Sequence, residues 1–227
     1  MQLRRLGSTD LQVSQLGFGA ATLGDEYGKA DSAEAERAVH FAIDAGINFF
    51  DVAPYYGRTV AESRLGAYLK GRRDKVILAT QCARYDVAGF NFSAERVTRS
   101  VDESLQRLQT GYVDIMHVHD VEFGDKRQIV EETIPHCIVR RRPAKYASLN
   151  NRVFAQMLRQ IAAEAPVDCI LSYCRYNLLN RDLTGNSHLC QRAQHRTDEC
   201  FAFAYAVLVG NRTAGLASRA NGSETGC

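Results

Sequence analysis

The sequence predicts an α/β protein whose strands form a parallel sheet, and two observations support this. Over residues 1–134, strand-like and helix-like segments alternate four times, which is the pattern of β–α–β units with parallel strands. The strand-like segments are short and apolar, as in KVILAT (75–80), which is typical of strands buried on both faces. A (β/α)₈ barrel and a doubly wound open sheet both fit this pattern.

Each element has its own local signal. Strands are predicted from four apolar runs: LQVSQLGFGAA (11–21), which ends in a glycine-rich turn, INFFDV (47–52), KVILAT (75–80) and GYVDIMHVHD (111–120). Helices are predicted from apolar residues at helical spacing in four segments: 31–46, 59–71, 92–108 and 125–134. Ser93 is a suitable N-cap and Gly46 a suitable stop, whereas Gly66 weakens the second helix.

The pattern becomes irregular after residue 134. Three consecutive arginines (140–142) stand where the next strand is due, and six of the seven cysteines follow residue 134. A helix (151–165) and a buried strand (167–179) then resume, but residues 184–227 show little regularity. Reading-frame slips in the coding DNA, one near 135–150 and one near 183, are our hypothesis for these abrupt changes. A divergent insert is the alternative.

Composition and charge exclude several classes of protein. Apolar residues make up 45% of the 227 and charged residues 24%, as in soluble globular proteins. No apolar run reaches the roughly 20 residues that span a bilayer, and the N-terminus lacks a secretory pattern, so we expect a cytoplasmic protein without a membrane partner. No Cys-x-x-Cys pair occurs, which predicts unpaired thiols and no metal site. The net charge of +2 gives no reason to expect a nucleic acid partner.

Polar residues follow the ends of two predicted strands. Asp51 closes the second strand, Tyr56 follows in the loop behind it, and His119 closes the fourth strand. In both candidate folds, residues just past the C-terminal strand ends are positioned for chemistry. Any one of them alone is usually structural, but three on one rim indicate a site. We predict that His117 points to the opposite face of its strand from His119 and belongs to the core or to the support of the site.

The segments LGFGAATLG, FFDVAPYYG and YVDIMHVHD together resemble the aldo-keto reductases. With FSAERVTRSVDESLQRL and VDCILSYCRYNLL added, the chain is most similar to the L-galactose dehydrogenase and L-fucose dehydrogenase branch. The resemblance implies a (β/α)₈ TIM barrel. It is incomplete here, because strands seven and eight have no recognisable counterpart after residue 183. We therefore expect a partial barrel over 1–183, divergent at 135–150, and an irregular segment over 184–227.

The resemblance also implies hydride transfer between NAD or NADP and a small sugar or aldehyde, with aldoses such as L-galactose or L-fucose as expected substrates. The family's aspartate, tyrosine and histidine map onto Asp51, Tyr56 and His119. Tyr56 would be the general acid for reduction and the base for oxidation, while His119 would orient the substrate oxygen. The positions expected to contact the cofactor are Gly19, Asp51, Ser172 and Tyr173.

The fourth catalytic residue of the family, a lysine, is replaced by Gln81. In the family that lysine pairs with the aspartate, and its charge lowers the pKa of the phenol from its ordinary value near 10. Gln81 can hydrogen-bond to Asp51 and Tyr56 but carries no charge. Losing a shift of two or three units would slow alcohol oxidation about a hundredfold or more at neutral pH. Arg84 is the alternative cation.

Two functions therefore stay open. In the first, the chain is an oxidoreductase that oxidises C1 of an aldose despite Gln81. In the second, it is a non-catalytic relic or a binding module with the same fold. Gln81 favours the second. So does the lack of a recognisable seventh and eighth strand, which in the family carry contacts to the cofactor.

Overall fold

The computed structural model describes residues 1–6, 9–137, 144–151, 155–173 and 201–203. Two short antiparallel strands, β1 (Leu3–Arg5) and β2 (Gln12–Ser14), come first. Seven parallel strands then form one sheet in their order along the chain. They are β3 (Gly17–Gly19), β4 (Phe49–Asp51), β5 (Ile77–Cys82), β6 (Val113–Val118), β7 (Ala144–Asn151), β8 (Cys169–Tyr173) and β9 (Phe201–Phe203).

The strand order decides between the two folds that the sequence left open. Doubly wound sheets reverse their strand order at a switch point, whereas the strands of a (β/α)₈ barrel follow one another around the sheet. The order here is sequential and every neighbouring pair is parallel. In the described part of the chain, β3 and β9 are the two edges and do not pair with each other. The predicted barrel is therefore confirmed in incomplete form.

Helices connect the successive strands from β3 to β8 and cover the outer face of the sheet. They are α1 (Ser32–Asp44), α2 (Val60–Tyr68), α3 (Ala94–Leu108), α4 (Lys126–Gln128), α5 (Ile134–Cys137) and α6 (Ala155–Glu164). A π-helical turn, Ile129–Thr133, joins α4 to α5. The Ser93 side chain accepts a hydrogen bond from the Arg96 amide, which confirms the predicted N-cap. Gly46, with a φ of +85°, follows the C-cap of α1 as predicted.

The N-terminal segment departs from the prediction of one strand over 11–21. It forms β2, which pairs with β1, and a separate β3, which pairs with β4. The reason is that the side chains of β2 and of the turn before it pack on inward-facing residues of the sheet. Together they form an interior cluster. Its members are Leu6, Leu11, Val13, Phe49, Ala79, Ile115 and Cys169. The hairpin therefore covers the end of the barrel interior opposite to the C-terminal strand ends.

Two later strands lie in segments where the sequence showed no regular pattern. Strand β7 lies inside the segment 135–150 that was expected to diverge, because Ala147 and Leu149 alternate with Tyr146 between the outer core and the interior cluster. Strand β9 lies in the segment predicted to be irregular and pairs with β8. The other residues of 184–227 lie outside the described residues, so the expectation of an irregular segment there stays a prediction. Strand β7 ends Leu-Asn-Asn.

Three cysteines fall in the described residues, and all are buried free thiols. Cys82 Sγ and Cys137 Sγ are 3.6 Å apart, which is a contact between thiols and too long for a disulfide. The other four cysteines lie outside the described residues. No helix in the described part of the chain is long and apolar enough to cross a bilayer.

Gly66 marks the closest contact between α2 and α3. A Cβ atom at this position would lie 2.5 Å from the carbonyl oxygen of Arg107 and 2.6 Å from the Cα atom of Leu108. The glycine that weakened the helix prediction therefore allows two helix backbones to meet. This contact holds α2, and with it the loop that precedes α2, close to the rest of the barrel.

We expect Gly66→Ala to lower the free energy of unfolding by about 1–3 kcal/mol, because the added methyl group forces the two backbones apart. Gly111→Ala is the matched control, since no heavy atom lies within 4 Å of the added carbon there. Urea unfolding of both variants measures the difference. Equal unfolding midpoints for the two variants would contradict the assigned helix contact.

Candidate active site

Four polar side chains meet inside the barrel at the C-terminal ends of its strands. Asp51, Gln81, His117 and Asn150 come from β4, β5, β6 and β7, and all four are buried. Alternation along each strand puts them on the inward face; Asp51, for example, lies two residues after Phe49 of the interior cluster. The site is therefore built by neighbouring strands and not by a single loop.

Gln81 is the hub of this group. Its Nε2 atom donates to Oδ1 and Oδ2 of Asp51 at 3.1 and 3.0 Å and to the phenol oxygen of Tyr56 at 3.2 Å. Its Oε1 atom accepts a hydrogen bond from Nδ2 of Asn150 at 3.1 Å. The amide thus occupies the place between the carboxyl and phenol groups where the family resemblance puts a lysine.

Asp51 is a buried acid without a positive partner. Burial raises the pKa of its carboxyl group to about 8, and the hydrogen bond from Gln81 only partly opposes this. Among the ion pairs of the described residues, none joins Asp51 to a lysine or arginine. Asp51 therefore holds a proton at neutral pH and is largely uncharged.

Arg84, the alternative cation, is used elsewhere. Its Nη1 atom donates to Oδ2 of Asp120 at 2.5 Å, and both side chains are buried. Its guanidinium carbon lies 3.8 Å from the ring centroid of Tyr55, a distance typical of a cation–π contact. Arg84 therefore stabilises the rim behind His119, the residue before Asp120, and its charge is committed to that ion pair.

His117 corrects one statement of the sequence analysis. Residues two apart in a strand share a face, so His117 does not point away from the site. Its Nε2 atom lies 3.5 Å from Oδ1 of Asp51. Burial, reinforced by the nearby His119, lowers the pKa of His117 to about 3. Because both groups are neutral near pH 7, this approach is a contact between an acid and a neutral imidazole and not an ion pair.

Tyr56 is positioned by a loop held through backbone contacts. Gly57 (φ +59°) lies against Gly24, so a Cβ atom on Gly57 would come within 2.1 Å of the Gly24 carbonyl oxygen. The Gly57 amide donates to Oε1 of Glu26 at 2.7 Å. These contacts place the Tyr56 ring edge-on to the His119 ring, with 5.9 Å between the centroids. Tyr56 and His119 thus share one rim with Asp51.

The remaining predicted site residues end the neighbouring strands. Gly19 is in register with Asp51 on the adjacent strand, and no heavy atom lies within 4 Å of a Cβ placed on it. Ser172 is buried and shares a strand face with Ile170, which packs against the outer core. Tyr173 is half-buried and shares the opposite, inward face with Cys169. Their proposed contact with a cofactor stays a prediction.

The sequence analysis missed the part played by Asn150. The signal was available, because KYASLNN ends a strand with polar residues, the same kind of signal that identified Asp51 and His119. The contact with Gln81 spans 69 positions of the chain, and residue spacing alone does not indicate such a pairing.

Comparison with known proteins agrees with this fold. The model of the aldo/keto reductase family matches residues 15–204. The chain belongs to the aldo/keto reductase family. L-galactose dehydrogenase from Arabidopsis thaliana is 46% identical to this aldo/keto reductase over an alignment of 186 residues, which covers 78% of this chain and 58% of that protein. D-arabinose 1-dehydrogenase from Saccharomyces cerevisiae is 30% identical over 186 residues, covering 75% of this chain and 55% of the relative.

A solved structure supports the fold of this aldo/keto reductase. The holo form of an aldo-keto reductase from Bacillus halodurans superposes with a TM-score of 0.75 at 26% identity, covering 90% of this chain and 65% of that one. The chain therefore spans less than two thirds of the length of these relatives. The residues that match the family, 15–204, include the strands that carry Asp51, Gln81 and His117.

We expect the stability gained by Asp51→Asn to increase as the pH rises from 6.5 to 8. The unfolded chain releases the Asp51 proton near pH 4, whereas the folded chain holds it to about pH 8, so folding binds a proton between these values and stability falls as pH rises. The lowered pKa of His117 acts in the opposite direction, but only below about pH 6.5. Asparagine does not titrate, so the free-energy difference should grow by about 1–2 kcal/mol.

Urea unfolding at pH 6.5 and pH 8 measures this change. Ser148→Ala is the matched control, because Ser148 is a neutral buried residue paired with His117 on the neighbouring strand. The free-energy difference between this control and the wild type should be the same at both pH values. A constant difference for Asp51→Asn as well would show that Asp51 is already ionised at pH 6.5.

Proposed function

We propose that this chain binds NAD or NADP and oxidises the C1 hydroxyl group of an aldose such as L-galactose or L-fucose. The observation that supports this most strongly is the position of the Tyr56 phenol, 3.2 Å from Gln81 Nε2 and edge-on to His119. A phenol and an imidazole at one rim suit the handling of a single substrate oxygen. The similarity to L-galactose dehydrogenase and D-arabinose 1-dehydrogenase supports an aldose as the substrate.

The described rim fits the nicotinamide end of the cofactor. Gly19 leaves open space next to Asp51, and Tyr173 ends β8 on the inward face. A flat ring needs such an open edge close to the polar group that handles the proton. An aldo-keto reductase from Klebsiella pneumoniae, solved in complex with NADPH, shares the fold with a TM-score of 0.69 at 23% identity. When bound, NAD or NADP would supply the acceptor for the hydride that leaves C1.

The residues of this chain would then handle the proton and the oxygen. Tyr56 would take the hydroxyl proton as the C1–O bond becomes a carbonyl and the C1 hydride departs, which balances the two-electron oxidation. His119 would hold the same oxygen by hydrogen bonding. Asp51 would act only through Gln81, since the amide lies between the acid and the phenol.

We further propose that this activity is impaired at neutral pH. A base must be deprotonated to accept a proton, and a phenol near its ordinary pKa of about 10 rarely is at pH 7. Gln81 donates a hydrogen bond to Tyr56 but brings no positive charge, and Asp51 is itself largely protonated. The site thus keeps the arrangement of a dehydrogenase without the charge that would activate its base.

The alternative is a binding module or relic without catalysis. It is favoured by the missing cation at Asp51 and by the described sheet, whose edge strands β3 and β9 do not pair with each other. Frame slips near 135–150 and 183 remain our hypothesis for the origin of such a chain. In this case the rim would bind a sugar or a cofactor without turnover.

We expect Gln81→Lys to raise kcat/KM for L-galactose or L-fucose oxidation at pH 7 about a hundredfold, measured as NADH or NADPH formation. The ammonium group would ionise Asp51 and favour the phenolate of Tyr56, and each unit of pKa corresponds to about 1.4 kcal/mol. The pH profile of the variant should also move toward lower pH.

Gln156→Lys is the matched control, since it adds the same charge on the exposed surface of α6. It should leave the rate unchanged. A wild type that oxidises either sugar as fast as Gln81→Lys would contradict the impairment. Two inactive proteins that still bind the cofactor in a fluorescence titration would favour the binding module.

A further inference from the structure

We propose that Asn150 is a positioning residue that fixes, through the amide of Gln81, the direction of the hydrogen bonds at Tyr56. The inference rests on the proposed function only in taking Tyr56 as the group that exchanges the proton. Asn150 itself does not touch Tyr56 in the described contacts; Gln81 lies between them. Its effect on the phenol is therefore indirect.

The two ends of the Gln81 amide face groups of opposite character. On one side, Nε2 faces three oxygen atoms: two of the Asp51 carboxyl group and one of the Tyr56 phenol, all within 3.2 Å. On the other side, Oε1 faces Nδ2 of Asn150 at 3.1 Å. Gln81 is fully buried and Asn150 is 6% exposed, so water does not readily replace either contact.

Reversing the Gln81 amide would be unfavourable while Asn150 donates to it. The reversed group would bring its NH₂ against the NH₂ of Asn150, placing two donors together with no acceptor between them. A buried donor without a partner is unfavourable, because it has lost its hydrogen bonds to water. Asn150 therefore selects the orientation in which Gln81 donates to Tyr56.

This orientation decides where the Tyr56 proton points. Because the phenol oxygen accepts a hydrogen bond from Gln81, its own hydrogen is directed away from the amide and toward another acceptor. A hydrogen bond donated to the phenol oxygen also stabilises the phenolate. If the amide were reversed, the phenol would donate its proton to Gln81 and the phenolate would lose that support.

The fold supplies Asn150 from a distant part of the chain. Strand β7 lies two strands away from β5 in the sheet, with β6 between them. Asn150 lies two residues after Ser148, which is in register with His117, so its side chain is on the same inward face. Other ionisable groups near Tyr56 are its rim neighbours and the groups behind Gln81: Asp51, Tyr55, His117 and His119.

The experiment is a ¹³C NMR titration of the full chain labelled at the tyrosine ζ carbons, with Tyr56→Phe identifying the Tyr56 signal. We expect Asn150→Ala to raise the titration midpoint of Tyr56 by roughly half a pH unit to one unit, because the donor from Gln81 is no longer held. Ser148→Ala, the control on the same strand and face, should leave the midpoint unchanged. The readout needs no turnover.

A double-mutant cycle tests whether the effect passes through Gln81. In a Gln81→Met background, Asn150→Ala should no longer move the Tyr56 midpoint. Asn150→Asp is the second variant and is nearly isosteric. When it is ionised, its carboxylate can only accept hydrogen bonds from Gln81. The shift of the Tyr56 midpoint that it causes should therefore be larger with Gln81 present than with methionine at position 81. An unchanged midpoint, or shifts of equal size in both backgrounds, would overturn the proposal. If the predicted shifts are observed but the chain oxidises neither sugar, the proposed function is overturned and the inference about Asn150 stands.

Discussion

The burial of the Asp51 carboxyl group without a counter-charge is the constraint on which the site depends. Gln81 offers this acid a hydrogen-bond donor but no charge, so the cost of desolvation prevails and the pKa rises to about 8. The same chain solves the problem differently at Glu62, which is fully buried on the outer side of the sheet. Glu62 accepts hydrogen bonds from Arg107 Nε and Thr80 Oγ1, each at 2.6 Å. Glu62 thus has a cation beside it, whereas Asp51 at the rim has only the amide of Gln81.

The positions of the rim residues Tyr56 and His119 depend on contacts elsewhere in the fold. The contact between Gly24 and Gly57 holds the Tyr56 loop, and it depends on the absence of side chains at two positions far apart in the chain. The Arg84–Asp120 ion pair holds the segment that follows His119. These contacts do not involve Gln81, so the arrangement of acid, phenol and imidazole does not depend on a charge at position 81. The positions of these side chains and the charge beside Asp51 therefore depend on different parts of the fold.

The sequence predicted the elements whose signals are local, and it predicted the barrel through a family resemblance. Helices α1 and α3 carry their caps and apolar faces within one segment, and Asp51 and His119 follow strands that are recognisable from composition alone. Strand β7 was obscured because its apolar positions, Ala147 and Leu149, alternate with polar ones after a run of arginines. Asn150 and the inward direction of His117 escaped notice because both depend on pairing between strands, and register is set by tertiary contacts that one sequence does not display. Gln81, in contrast, was recognisable from the sequence, because the family resemblance implies a lysine at this position.

The measurement that tests this account most directly is the infrared difference spectrum between the wild type and Asp51→Asn, recorded from pH 5 to pH 9. The account predicts the carbonyl stretch of a protonated carboxyl group in the wild type at neutral pH, replaced by carboxylate bands with a midpoint near pH 8. Carboxylate bands from Asp51 already present at pH 5 would contradict it. They would mean that a positive charge lies close enough to Asp51 to keep it ionised, although Gln81 itself is uncharged.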